Sequence, residues 1–242
     1  MPAGSVTMPR AAAEGVKCAH TDTLHQLAQE VLDIVQDPSI EETRVVQWVN
    51  RCLGRTILEL ARRRVYLPSL AASGEVETMA ATEAVALPAD WHDNLHGAWD
   101  VTTGRAIMVR PWPVLQRVRG IGPVRHGQIM AVASFARQLR YWMVPHSPLR
   151  IAIQYHRQPT PLAADTDKLL DLPPEIAADL VLDFCCAEGF SRLEQEQGDG
   201  KSNTAYHRNR FVEAVDALAL QIGPWPEPAA EINDIMGWGG LC

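Results

Sequence analysis

From Asp22 onward, apolar residues recur every three or four positions. Leu24, Leu27, Ala28, Val31, Leu32 and Val35 fall on one face of a predicted helix. Asp37-Pro38 ends that helix, because the residue before a proline is pushed out of the helical region. Ser39-Ile40-Glu41-Glu42 then has the form of a capping box, with Ser39 as N-cap and Glu42 reaching back to it. The helix it opens carries Val45, Val46, Val49, Leu53, Ile57 and Leu60 on one stripe. It runs to about Arg64, a length of roughly 33 Å at the usual rise per residue.

After Tyr66-Leu67-Pro68 the period shortens. Segments 75–79, 84–87, 95–101, 105–110, 129–133, 139–144 and 149–155 read as short strands separated by turn residues. Thr102-Thr103-Gly104 is placed to close a hairpin. In Arg150-Ile151-Ala152-Ile153-Gln154-Tyr155 the alternation is clear, with Ile151, Ile153 and Tyr155 on one face. Residues 113–118 form a short helical turn after Pro111-Trp112-Pro113, and a Gly-rich stretch follows at 119–127. Helical spacing returns at Pro173-Pro174-Glu175, where a first-turn proline loses no hydrogen bond. Ile176, Leu180, Val181, Phe184 and Cys185 give that helix a buried face. Gly198-Asp199-Gly200 interrupts it, and Ser202 or Asn203 caps a last helix with Tyr206, Phe211, Val215, Leu218 and Ile222 inward.

The order is therefore two helices, about a hundred residues of strands, then two helices. Amphipathic helices bury their stripes only against one another, so the two ends of the chain are expected to meet in one bundle. This predicts an α+β fold: a bundle from residues 21–66 and 173–222, with a β-rich insert at 67–172. Residues 1–20, rich in Ala, Gly and Pro, read as a flexible arm, and 223–242 as a tail.

Composition narrows the class. With 242 residues, 47% hydrophobic and 21% charged, the chain can build a core without metal or disulfide staples. Its five cysteines, two of them adjacent, make a poor disulfide framework and suit a reducing compartment. The first twenty residues lack the apolar core of a secretion signal, and no apolar run approaches a membrane span. A net charge of −7 disfavours a free-standing DNA-binding module.

Candidate chemistry is sparse. His92 and His96 are four apart, but further ligands at zinc spacing are missing around them. Cys185-Cys186 reads as two small buried hydrophobes. Gly120-Ile121-Gly122-Pro123 lacks the Lys-Ser/Thr of a phosphate loop. Glu41-Glu42 and the Glu194/Glu196 pair lie at helix ends, where carboxylates serve dipole compensation and solvation. The sequence therefore assigns no catalytic, cofactor-binding or metal residue.

Two features stand out. The long helix carries Arg44, Arg51, Arg55 and Arg62-Arg63-Arg64. They read as a solvated face with a dipole-favoured C-terminal cluster, or as a contact with an acidic neighbouring subunit, where guanidinium forks pair carboxylates well. Nucleic acid is a third partner, which the net charge disfavours. The tail holds Trp225, Ile232, Ile235, Met236 and Trp238 in a Pro/Gly-rich stretch that cannot fold by itself. It either packs back on its own bundle or docks into a partner, tryptophan being a usual interface anchor.

Certain stretches resemble the phage head-to-tail adaptor (connector) family that includes the tail tubular A protein of short-tailed phages. The first is the helix from Val45-Val46-Gln47-Trp48-Val49-Asn50-Arg51 through Leu58-Glu59-Leu60-Ala61-Arg62-Arg63-Arg64. The others are Ala84-Val85-Ala86-Leu87-Pro88-Ala89-Asp90-Trp91, Ile153-Gln154-Tyr155-His156 and Leu172-Pro173-Pro174-Glu175-Ile176. The resemblance covers most of residues 22–222 as pattern and order, without a catalytic signature. It implies a structural virion protein at the head–tail junction, assembled in the host cytoplasm as a ring of twelve copies. The ring would sit beneath the portal protein and join it to a downstream tail component (nozzle, terminator or tail tube). DNA would pass its channel without sequence-specific contact, and no cofactor or membrane is involved. Trp225, Ile232, Ile235, Met236 and Trp238 become portal-docking candidates. Arg51, Arg55, Arg62, Arg63 and Arg64 become subunit-interface candidates. The alternative kept open is a DNA-packaging or DNA-binding accessory protein.

Overall fold

The computed structural model describes residues 23–120, 125–197 and 202–224. The arm at 1–20, the Gly198-Asp199-Gly200 break and the tail residues Trp225, Ile232, Ile235, Met236 and Trp238 lie outside them.

Helix α1 (Leu24–Val35) and helix α2 (Glu42–Arg62) are the two N-terminal helices. The capping box predicted for α2 belongs instead to α1. There the Thr23 side chain accepts from the Gln26 backbone N–H, while the Thr23 N–H donates to Gln26 Oε1 at 2.8 Å. The loop at 165–167 satisfies two more N–H groups of the first turn: Leu24 donates to the Asp167 carbonyl at 2.8 Å and His25 to the Asp165 carbonyl at 3.2 Å. α1 stops at Gln36, which takes the left-handed conformation (φ 55°) and returns its N–H to the Leu32 carbonyl.

Ser39 does not cap α2: it sits in a local turn where its N–H donates to the Asp37 carboxylate at 2.9 Å, which leaves no donor for a Glu42 reaching back. The N-cap is Glu41, two residues later, and the Glu42 side chain binds His25 Nδ1 at 2.7 Å rather than reaching back.

Helix α4 (Pro174–Gln197) and helix α5 (Ser202–Ile222) close the bundle. α4 lies at its centre, packed against α1, α2 and α5. Ala177, Leu180, Val181, Cys185 and Cys186 are all buried on it, which explains why two adjacent cysteines are both inside. At Gly189 the Val35 side chain of α1 packs so close that an added Cβ would lie 2.8 Å from one of its methyls. α5 buries Thr204, Phe211, Val215 and Leu218. Tyr206, expected inward, is 54% exposed, since it lies two positions and about 200° around the helix from Thr204. Its ring instead carries the Arg210 guanidinium at 5.8 Å.

The start of α5 is not capped by its own serine or asparagine. The Glu194 carboxylate, 8% exposed on α4, accepts the Asn203 N–H at 2.8 Å and the Thr204 hydroxyl at 2.5 Å. The solvation role read from the sequence does not apply to it.

Among the described residues, seven strands lie between the helix pairs. β1 (Ala71–Glu77), β7 (Arg150–Arg157) and β3 (Trp91–Asp100) form an antiparallel sheet in the order β1-β7-β3. β2 (Ala84–Ala86), β6 (Gln138–Trp142), β5 (Ala131–Phe135) and β4 (Met108–Val109) form the other, in the order β2-β6-β5-β4. Ile151, Ile153 and Tyr155 of β7 turn inward as the alternation predicts, into one core with Val132, Leu139 and Tyr141. Thr102-Thr103-Gly104 does close the end of β3. Gly104 adopts φ 68°, and the buried Asp100 carboxylate accepts from the Thr102 N–H and the Thr103 hydroxyl. β4 pairs parallel with β5, so the chain needs a crossover, supplied by helix α3 (Trp112–Arg119) on the outer face of that sheet. Leu115 of α3 packs on Ala131 and Ala133.

The helical core also takes in Leu67 and Leu70 before the first strand, and Leu162, Leu169 and Leu172 after the last. Asn50 of α2 clamps this returning segment. Its Nδ2 donates to the Leu162 carbonyl at 2.9 Å, and its Oδ1 accepts the Leu162 N–H at 2.8 Å.

Removing Leu180 side-chain volume (Leu180→Ala) at the centre of α4 is expected to cost about 3 kcal/mol. Glu194→Ala, which strips the α5 cap and leaves Thr204 buried, is expected to cost about 2 kcal/mol. Urea unfolding of the full chain measures both, and a Glu194→Ala loss below about 0.5 kcal/mol would contradict the capping role.

Candidate functional site

No described residues assemble a catalytic constellation, so the functional features are surfaces. The arginine stripe of α2 is the first. Arg51 Nη1 lies 3.0 Å from Glu188 of α4. Arg55 and Arg62 both reach Glu59, at 2.9 and 2.8 Å. Arg63 bridges Glu59 and Asp216 of α5, the latter at 2.7 Å. Arg64 follows the helix in the left-handed conformation (φ 57°), and Arg44 is exposed at the other end. Four of these arginines are therefore paired within their own chain, three of them on the single Glu59. Such exposed pairs are worth at most about 1 kcal/mol and exchange partners readily.

These pairs edge a groove of about 850 Å³ between α2, α4 and α5. Its floor is apolar, made by Leu58, Phe184, Phe211, Val212 and Val215, and its edges carry Arg51, Arg55, Arg63 and Arg208. Leu58 and Val212 are 43% and 48% exposed there. Three of the five arginines singled out from the sequence thus line one concave surface. The apolar floor was hidden in the sequence, because it combines residues from helices some 130 positions apart.

The second feature is the junction of bundle and sheets. His156 of β7 is 3% exposed, stacked on Tyr66 at 4.8 Å with His96 at 5.3 Å. Asn94 Nδ2 donates to its Nδ1 at 3.2 Å, an arrangement open only to the neutral ring. Burial, reinforced by the neighbouring His96 and His92 and opposed by Asp93, lowers its pKa to about 4. His92 and His96 lie on a strand beside this ring, not on one helix face. Among the described residues no three His, Cys, Asp or Glu are grouped to hold a metal ion.

A third feature is a partly buried ionic cluster between α4 and α5. Asp183 accepts from His207 Nδ1 at 2.8 Å and pairs with Arg210 at 3.2 Å, while Phe190 stacks on the His207 ring. It ties the helices together. The three described thiols are buried. Burial raises Cys52 and Cys185 well above their ordinary range and lifts Cys186 to about 12. No described helix is long and apolar enough to cross a membrane.

The two ends of the chain thus close a bundle around a β segment. The sequence matches the SU10 adaptor protein family over residues 22–230, and the chain belongs to that family of phage structural proteins. No curated protein matches it. The match spans all five helices and seven strands, so it takes in bundle and β segment alike.

The junction histidine carries a pH prediction. Unfolded, His156 has the ordinary value near 6.5; folded, it titrates near 4. Its contribution to stability is complete above about pH 6.5 and is lost as pH falls toward 4, by on the order of 2–3 kcal/mol. Urea midpoints at pH 7 and pH 4.5 should drop further for the native chain than for His156→Gln. Equal drops would show that the ring is not held neutral by the fold.

Proposed function

We propose that this chain is a head-to-tail adaptor subunit, akin to the tail tubular A protein of short-tailed phages. Copies of it, twelve in number, form a ring beneath the portal protein and join the DNA-filled head to a downstream tail component (nozzle, terminator or tail tube). The observation that carries this reading is the family match, continuous through both helix pairs and the strands between them. The protein acts in the virion as a structural part without catalytic or cofactor chemistry, after assembly in the host cytoplasm. It needs no membrane.

In this reading the ring contact runs along the groove between α2, α4 and α5. A neighbouring subunit would cover Leu58 and Val212 and exchange ion pairs with Arg51, Arg55, Arg62, Arg63 and Arg64. Heterologous contacts of this kind, with different surfaces on the two sides, close rings. The tail would dock on the portal through Trp225, Ile232, Ile235, Met236 and Trp238. DNA would pass down the ring without sequence-specific contact.

The alternative, a DNA-packaging or DNA-binding accessory protein using the α2 arginines, loses ground to their in-chain ion pairs. Guanidiniums already paired with carboxylates must first give up those partners to reach phosphate.

Mixing the purified chain with the portal protein of the same particle tests the proposal by native mass spectrometry. The expected species is one portal assembly carrying a closed ring of this chain. Deleting residues 224–242 should weaken capture at least about tenfold while leaving the fold intact, since buried tryptophan anchors carry about 2 kcal/mol or more each. No capture by the full chain would overturn the adaptor reading, and full capture by the truncated one would overturn tail docking alone.

A further inference from the structure

The charge of this protein is segregated along its chain. Residues 101–150 contain eight arginines and no Asp or Glu. All 29 acidic residues and the other 14 of the 22 basic ones lie outside, so a chain of net −7 divides into a block of +8 and a remainder of −15.

The fold gathers much of this block on one face. Arg110 directly follows β4, and its backbone N–H donates to the Val132 carbonyl of β5. Arg117 and Arg119 occupy the last turn of α3. Arg140 comes from the middle of β6, and Arg125 is held beside that strand's end by the Val144 N–H, which donates to its carbonyl. Arg119, Arg125 and Arg140 converge on a concavity of about 240 Å³ that Trp112 and Trp142 help to wall.

These arginines differ from those of α2. Among the described residues Arg119 pairs with Glu83, but Arg110, Arg117, Arg125 and Arg140 are in no ion pair. Arg117 and Arg125 are exposed. Arg140 is fixed in place, its guanidinium 5.5 Å from the Trp112 ring and hydrogen-bonded to Gln138 Oε1 at 2.8 Å.

We propose that this outer face of the β4-α3-β5-β6 layer binds the phosphate backbone of duplex DNA. A face on which five arginines meet a single acid, Glu83, fits a partner that is uniformly negative along its length, as duplex DNA is. Arginine forks and a glutamine (Gln116) are the groups that contact phosphate oxygens without reading sequence. Base stacking is disfavoured, because Trp112 is already stacked on Phe135 at 5.1 Å and faces Arg140. The remaining −15 repels the same polymer, so contact is confined to this one side of the molecule. Within a screening length of about 8 Å the local charge, not the net charge, decides. The inference goes beyond the adaptor reading and stands without it.

Fluorescence anisotropy of a labelled 20-base-pair duplex of arbitrary sequence tests it on the full chain. Binding is expected at 50 mM salt, indifferent to sequence and weakening steeply as salt rises. The double variant Arg117→Gln, Arg125→Gln breaks no ion pair, so its urea midpoint should be native. It should bind about tenfold more weakly, with the log–log salt slope smaller by about two. Arg51→Gln, Arg55→Gln should bind like the native chain. No binding at 50 mM salt, or an unchanged affinity and slope in the Arg117/Arg125 variant, would overturn the proposal. So would a variant that binds DNA normally but loses self-association, which would assign the face to a neighbouring copy's acidic surface.

Discussion

The structure depends on α4 being packed against three helices at once. A helix whose buried residues spread over several faces cannot rest on one partner, and this one takes three: α1 and α2 from the N-terminal end and α5 from the C-terminal end. Leu180, Val181, Cys185 and Cys186 cover neighbouring sectors of its surface and all are within the core. Folding the helical part therefore requires the two ends of the chain to meet. The hundred residues between them must leave the bundle and return to nearly the same place. Asn50, holding Leu162 by two hydrogen bonds, and the Thr23 region, held by the 165–167 loop, mark where the return is secured. The strands can then form a sandwich with its own core, touching the bundle through Tyr66 and His156.

Much of this was legible in the sequence, for reasons that are local. The 3.6 period of α1 and α2 and the alternation of Ile151, Ile153 and Tyr155 are written by burial on a single face. All seven strands appear near their expected places, shifted by a few residues. What was not legible depends on partners distant in the chain. Ser39 looked like an N-cap, but the competing acceptor was Asp37, and α1 held the capping box through Thr23 and Gln26. Glu194 looked like a solvated helix end, yet its carboxylate substitutes for a cap on a different helix. Tyr206 fitted an apolar stripe by residue type but not by angle.

Candidate surfaces show the same division. The arginines of α2 form a visible run in the sequence. Their acidic partners Glu188 and Asp216 lie more than a hundred residues away, so their pairing was not visible. Net charge also hides local arrangement: a sum of −7 conceals a block without a single acid. The basic face exists because α3 crosses over from β4 to β5, placing its last turn beside β6. The tail residues named from the sequence, Trp225 to Trp238, lie outside the described residues and stand on composition.

An adaptor ring must be present in every finished particle in fixed proportion to the portal. Quantitative mass spectrometry of purified particles, comparing this chain with the portal protein, measures that proportion directly. The account predicts equal copy numbers, twelve of each. Absence of the chain from finished particles, or a copy number far below that of the portal, would contradict it.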